Sequence, residues 1–120
     1  MANVLVVDDS VSMRQLITGT LKEAGYQAVE AGDGQEGLKA AQSGGFDAVI
    51  TDINMPNMDG IALIKELRGM THYKFKPILV LTTESGGDMK QKGKEAGATG
   101  WIVKPFSPEK LLSAVRKVLG

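Results

Sequence analysis

Four apolar stretches of this 120-residue chain end on residues with chemistry to offer. Val4 to Val7 ends on Asp8-Asp9, Val49 to Thr51 on Asp52, Pro77 to Leu81 on Thr82, and Gly100 to Val103 on Lys104. Singly, each is an ordinary polar loop start or cap. If the apolar runs are parallel strands of one sheet, however, all of them converge at its C-terminal edge, where open α/β sheets place their sites. Three carboxylates crowded there repel one another, and either some protonate or a cation neutralises them. With no Cys and His72 as the sole histidine, such a cation is a hard, oxygen-bound one. Mg²⁺ fits, because it keeps several waters and takes one or two carboxylates plus a substrate phosphate. Lys104 supplies a point charge able to pair with a carboxylate at rest and a phosphoryl oxygen during transfer, and Thr82 supplies a hydroxyl donor.

The elements needed to position these residues follow from periodicity. Residues 3–7 and 77–82 are apolar on successive positions, as strands buried on both faces are. Residues 26–31 form a weaker strand whose Glu30 suits a sheet edge. Residues 46–52 form a third strand and residues 100–103 a short last one. Between them, Ser10 caps a helix carrying Met13, Leu16, Ile17, Leu21 and Ala24 to a stop at Gly25. Gly34 to Ser43 is a helix with Leu38 and Ala41 inward. Asp59 caps another with Ile61, Ile64 and Leu67 inward, and residues 71–76 are a polar loop. Residues 85–97 are a helix loosened by Gly86, Gly87, Gly93 and Gly97, since an interior Gly costs about 0.5–1 kcal/mol relative to Ala. Ser107-Pro108-Glu109 starts the last helix, which buries Leu111, Leu112, Val115, Val118 and Leu119. Five βα units in strict alternation imply right-handed crossovers and a doubly wound α/β sandwich with helices on both faces.

Length and composition suit one compact domain, residues 1–120, with no separate output domain expected. No signal peptide or membrane span is visible, so a cytoplasmic, monomeric protein without membrane attachment is expected. Zero net charge argues against nucleic-acid binding. The balance is uneven along the chain: residues 1–64 hold 3 basic and 9 acidic side chains, residues 65–120 hold 11 basic and 5 acidic. This is either ordinary solvated lysine or an acidic pocket beside a basic docking surface.

The pair Asp8-Asp9, Asp52 followed by Met55-Pro56 and Asp59-Gly60, Thr82, and Lys104-Pro105-Phe106 together resemble the receiver domain of two-component response regulators, of the single-domain, CheY-like kind. The resemblance spans the chain and implies a flavodoxin-like (βα)5 fold with strand order 2-1-3-4-5. It implies that Asp52 accepts a phosphoryl group from a histidine kinase or a small donor. Mg²⁺ (or Mn²⁺) would be held by Asp9, Asp52 and the backbone carbonyl of Asn54, with Asp8 acting through water. It further implies a cis Lys104-Pro105 bond and a switch in which Thr82 moves toward the phosphoryl group while Trp101 turns inward. Asn54 and Glu84 stand where the family tunes the lifetime of the phosphorylated state, and match the choice that goes with a short-lived signal. Trp101 departs from the usual Tyr or Phe and lacks a phenolic donor; Thr83 stands where a smaller residue is common. Partners would dock on the 85–119 face, where Lys90, Lys92, Lys94, Lys110, Arg116 and Lys117 cluster. They include, by resemblance, a flagellar-motor switch protein, a kinase or a phosphatase, in chemotaxis or motility signalling. Such a chain is a signalling phosphoacceptor rather than an enzyme; it could also pass its phosphoryl group on as a phosphorelay intermediate.

Rivals are weaker. Gly32-Asp33-Gly34-Gln35-Glu36-Gly37 matches G-x-G-x-x-G, yet lies on the second βα unit, with Asp33 and Glu36 facing any pyrophosphate. An EF-hand reading from Asp52 fails at Pro56, Asn57 and Leu63. A small aspartyl-phosphate phosphatase would need a cap this chain lacks. His72 is expected in solvent, and Met55 and Met58 as gap-filling packing.

Overall fold

Each apolar strand run finds a helical cover on both of its faces. The computed structural model describes residues 2–119. Strands β1 (Asn3–Val7), β2 (Gln27–Ala31), β3 (Ala48–Thr51), β4 (Ile78–Thr82) and β5 (Gly100–Val103) alternate with helices α1 (Val11–Glu23), α2 (Gly34–Ser43), α3 (Gly60–Arg68), α4 (Gly87–Ala96) and α5 (Pro108–Leu119). All pairings are parallel, in the order β2-β1-β3-β4-β5. The doubly wound fold and its order are those expected.

Side chains alternate across a strand, so neighbouring residues serve different cores. Leu5, Val7, Val49, Ile78 and Val80 pack with Ala41, Leu63, Ile64, Leu67 and Ala96 from α2, α3 and α4. Val4, Val6, Ile50, Leu79, Leu81 and Ile102 pack with Ile17, Leu21, Leu111 and Val115 from α1 and α5. Edge strand β2 is largely exposed, as Glu30 suggested, and its Glu30 pairs with Arg14 of α1 at 3.1 Å.

The caps follow the sequence. Ser10 Oγ accepts from Met13 N–H, Asp59 Oδ1 from Ala62 N–H and Ser107 Oγ from Lys110 N–H. Gly25 and Gly97 end α1 and α4 at positive φ. The Gly86 cap of α4 makes no side-chain hydrogen bond, and this helix buries only Gly93 and Ala96.

Three expectations need correction. Leu16 is 47% exposed: it shares helical spacing with Ile17 but lies on the outer side of the stripe that Ile17 and Leu21 bury. β3 is shorter than 46–52 because Phe46 is buried beside Gly44 rather than paired in the sheet. Residues 71–76 are not simply polar loop. Thr71–Tyr73 is a 3₁₀ turn that drives Tyr73 into full burial.

There the Tyr73 hydroxyl donates toward the carbonyls of Gly44 (2.6 Å) and Ala41 (2.8 Å) and accepts from Phe46 N–H. His72 beside it is exposed, with Nε2 3.0 Å from the Phe46 carbonyl. Tyr73→Phe should lower stability by about 1–2 kcal/mol, since buried carbonyls lose their donor. Burial also raises the Tyr73 pKa, so the folded state holds that proton more tightly than the unfolded chain. The resulting stability is complete below the unfolded pKa of about 10 and falls as pH rises toward the folded value. Denaturant midpoints between neutral and strongly alkaline pH should therefore fall less steeply in Tyr73→Phe than in wild type.

Candidate functional site

The backbone ladder continues one residue beyond β1, β3 and β5, and that extension fixes the candidate residues that follow them. Asp8 N–H donates to the Ala31 carbonyl at 3.1 Å, Asp52 N–H to the Val7 carbonyl at 3.0 Å, and Lys104 N–H to the Thr82 carbonyl at 2.8 Å. Asp8, Asp52, Thr82 and Lys104 therefore meet at the C-terminal edge of the sheet, on the central strands and their β4–β5 neighbours. Lys104–Pro105 is cis, as the resemblance implied.

Lys104 organises the cluster. Its Nζ donates to Asp8 Oδ2 at 2.7 Å and to Asp52 Oδ2 at 2.9 Å, with its side chain only 10% exposed. Burial alone would pull the Lys104 pKa down, but the hydrogen bonds and charges of Asp8 and Asp52 outweigh it and hold the pKa above the usual value. The second oxygens are also engaged: Asp8 Oδ1 accepts from Ser10 N–H at 2.9 Å, and Asp52 Oδ1 from Ile53 N–H at 2.6 Å. Asp8 is buried, Asp52 half-buried and Asp9 exposed, so the acids form a gradient from interior to solvent.

One carboxylate oxygen from each of Asp8, Asp9 and Asp52 lies within 4.8 Å of the others. Among the described ion pairs, Lys104 serves Asp8 and Asp52 and none reaches Asp9. Three acids against one ammonium leave excess negative charge on a purely oxygen donor set. This fits a hard divalent cation.

Thr82 is fully buried, its Oγ1 accepting from Glu84 N–H at 3.3 Å. Asn54 Nδ2 donates to Glu84 Oε1 at 2.9 Å and ties the loop after β3 to the loop after β4. Thr83 is exposed beside them. Trp101 is half-buried, and its indole N–H donates to the Glu84 carbonyl at 3.0 Å. The ring lies against α4 at Gly93, where an added Cβ would stand 2.5 Å from Cζ3. The donor that a phenol would have offered is thus supplied by the indole nitrogen.

Two site residues escaped the sequence reading. Arg14 Nη1 donates to the Asp8 carbonyl at 2.6 Å while its Nε pairs with Glu30, bracing the Asp8-Asp9 corner from α1. Its signal was its place: one of only 3 basic residues in the acidic half, on the helix that follows the aspartates. Asn57, with φ 69°, was read only as a mismatch to a calcium loop. The Gly32–Gly37 segment is a helix start: Asp33 Oδ1 accepts from Glu36 N–H, and Glu36 Oε1 from Gly32 N–H. Two acids occupy the position a pyrophosphate would need.

Comparison with known proteins agrees with this geometry. The response regulator receiver domain family matches residues 4–116. The chain is 37% identical over 116 residues to the chemotaxis protein CheY of Pseudomonas aeruginosa, covering 96% of this chain and 94% of that one. It is 37% identical to the chemotaxis protein CheY-3 of Vibrio cholerae, covering 96% and 89%. The solved structure of the Vibrio cholerae chemotaxis protein CheY4 superposes with a TM-score of 0.95 at 52% identity, covering 98% of each chain. With the family model matched over most of the chain, relatives alike along nearly its whole length and a solved CheY of the same fold, this chain belongs to the response regulator receiver domains, of the CheY-like kind that serves two-component signalling.

Proposed function

We propose that Asp52 is a phosphoacceptor, taking a phosphoryl group from a histidine kinase or a small acyl phosphate. The observation that carries this reading is the Lys104 ammonium held between Asp8 and Asp52 beside an acid cluster with room for a cation. A carboxylate oxygen of Asp52 forms the new P–O bond while the bond from phosphorus to the donor's leaving atom breaks, its electron pair departing with the donor. Such a nucleophile has to be ionised and relieved of repulsion. Lys104 gives that relief on one side and would meet a phosphoryl oxygen on transfer; Thr82 would donate its hydroxyl to another. Asp9, Asp52 and the Asn54 carbonyl would hold Mg²⁺ or Mn²⁺, with Asp8 acting through water. When bound, the metal supplies charge neutralisation at the transferring oxygens. Asn54 and Glu84, hydrogen-bonded to each other between the loops after β3 and β4, would set how long the signal lasts.

The signal leaves by the 85–119 face. α4 buries little and starts on an uncapped glycine, which makes it the cheapest element to shift. Trp101 joins it to the site through Glu84, beside a cleft of about 390 Å³ lined by Gly87, Lys90, Gln91, Lys94 and Trp101. Lys90, Lys92, Lys94, Lys110, Arg116 and Lys117 are all exposed there. An acidic protein target fits this surface, a flagellar-motor switch protein being the one the family resemblance suggests. Lys90→Glu or Lys92→Glu should weaken target binding by about tenfold, as loss of roughly 1.4 kcal/mol does, with phosphoryl uptake unchanged; equal loss of both would assign the lysines to the site instead.

The test of the phosphoacceptor is intact mass after incubation with Mg²⁺ and a small acyl phosphate, following Trp101 emission in parallel. A gain of one phosphoryl group that a chelator prevents, with a change in emission, is the expected result. No gain in folded, metal-binding protein would remove small acyl phosphates as donors, and no gain from a histidine kinase either would remove the acceptor reading.

A further inference from the structure

The β3–α3 loop, residues 52–59, is slung between two amide–carboxylate bonds. At one end is the Asn54–Glu84 bond already described. At the other, Asn57 Nδ2 donates to Asp33 Oδ2 at 2.7 Å, so that the loop is fastened to the first turn of α2. We propose that Asn57 is a positioning residue for the metal centre, with Asp33 as its anchor: together they set the loop conformation that presents the Asn54 carbonyl to the cation. The proposal rests on the metal component of the function above.

Four observations carry it. Asn57 is the one non-glycine residue at positive φ among the described residues, at 69°. Asn is among the few side chains that tolerate this conformation, and the outlier sits three residues from the proposed carbonyl ligand. Asp33 is occupied twice, Oδ1 accepting from Glu36 N–H at 2.8 Å and Oδ2 from Asn57, so its direction is set by the helix it caps. Those bonds, that of Glu36 foremost, also hold the Asp33 carboxyl below its usual pKa. Beside this contact the Met58 carbonyl lies against Gly34, so closely that a Cβ on Gly34 would overlap it. The loop is seated on α2 by packing as well as by the hydrogen bond.

Neither Asn57 nor Asp33 hydrogen-bonds to the acid cluster, and the bond between them is exposed. Removing an outer group that orients metal ligands typically costs 10–100-fold in affinity. An exposed hydrogen bond contributes little to global stability, so affinity and stability should separate.

The variants are chosen to delete the bond alone. Asn57→Gly keeps the positive φ without strain. Asp33→Asn keeps a good helix cap, but turns toward Asn57 an amide in place of an acceptor. Mg²⁺ affinity is measured by calorimetry on the full chain, with thermal unfolding in chelator alongside. The expected result is about a tenfold weaker Mg²⁺ affinity in each variant, an unfolding temperature within about 3 °C of wild type, as a change below 1 kcal/mol gives, and a double variant no weaker than either single one. Unchanged affinity in both variants, or losses that multiply in the double variant, would overturn the latch. Affinity that falls only in step with unfolding temperature would overturn it as well. Wild type that binds no Mg²⁺ would remove the metal reading and the latch together, whereas wild type that binds and takes up a phosphoryl group, beside variants that bind equally well, would sink the latch alone.

Discussion

Asp52→Asn should take up no phosphoryl group from an acyl phosphate and Mg²⁺ under conditions in which wild type gains one per chain. The substitution keeps size and shape but replaces an anionic oxygen with a neutral amide, and removing a nucleophile outright costs on the order of 10⁶-fold in rate where it has been isolated. The fold should survive, because Lys104 retains Asp8 at 2.7 Å and Asp8 retains Ser10 N–H. Mg²⁺ affinity should fall too, since one of three clustered carboxylates is gone. The decisive comparison is intact mass in parallel with a melting curve. A folded Asp52→Asn protein that still gained a phosphoryl group would move the acceptor to Asp8 or Asp9.

Gly60→Ala should be the most destabilising single methyl in the molecule. A Cβ at Gly60 would overlap the Asp52 carbonyl oxygen and crowd Ile53 Cα at 2.9 Å, both of them backbone atoms. Backbone cannot rotate away as a flexible side chain would. Either α3 lifts from the sheet, breaking the Gly60 N–H to Ile53 carbonyl bond, or the turn carrying Asp52 shifts. We expect a loss of about 3 kcal/mol, the upper end of overpacking costs, and an unfolding temperature lower by about 10 °C. Phosphoryl uptake by the surviving folded fraction should drop as well. Ala at Gly19, where a Cβ meets nothing within 4 Å, is the control and should raise helix stability slightly.

Most of the architecture was legible because its signals are local. Runs apolar on successive positions mark strands covered on both sides, and Ser10, Asp59 and Ser107 mark helix starts by a hydrogen bond made within four residues. The convergence of Asp8, Asp52 and Lys104 followed from topology alone. What escaped depends on partners distant in sequence. Tyr73 sits in a run of polar residues, and only the carbonyls of Ala41 and Gly44, some 30 positions away, explain its burial. Arg68 likewise reads as a surface arginine at a helix end. It is nevertheless committed to the carbonyls of Gly97, Tyr73 and Lys76, clamping α3 to the chain on either side of β4. Asn57 was invisible because a positive φ leaves no mark on composition when glycine is not the residue that adopts it. Leu16 shows the reverse limit: apolar spacing defines a stripe, and its outer margin faces water.

The strand order has a last consequence. Because β2, β1 and β3 lie together on one side and β4 and β5 on the other, the first and second halves of the chain occupy opposite edges of the molecule. Lys104 apart, which joins Asp8 and Asp52 at the centre, the excess of acid in residues 1–64 and the excess of base in residues 65–120 lie toward opposite edges of a body some 31 Å across. A neutral protein thus carries a permanent dipole moment, and a charged partner exerts a torque on it before any contact forms. Approach from the basic side is favoured for an acidic surface at separations up to the screening length of about 8 Å at physiological salt. Orientation, rather than net attraction, is what this charge distribution contributes to encounter.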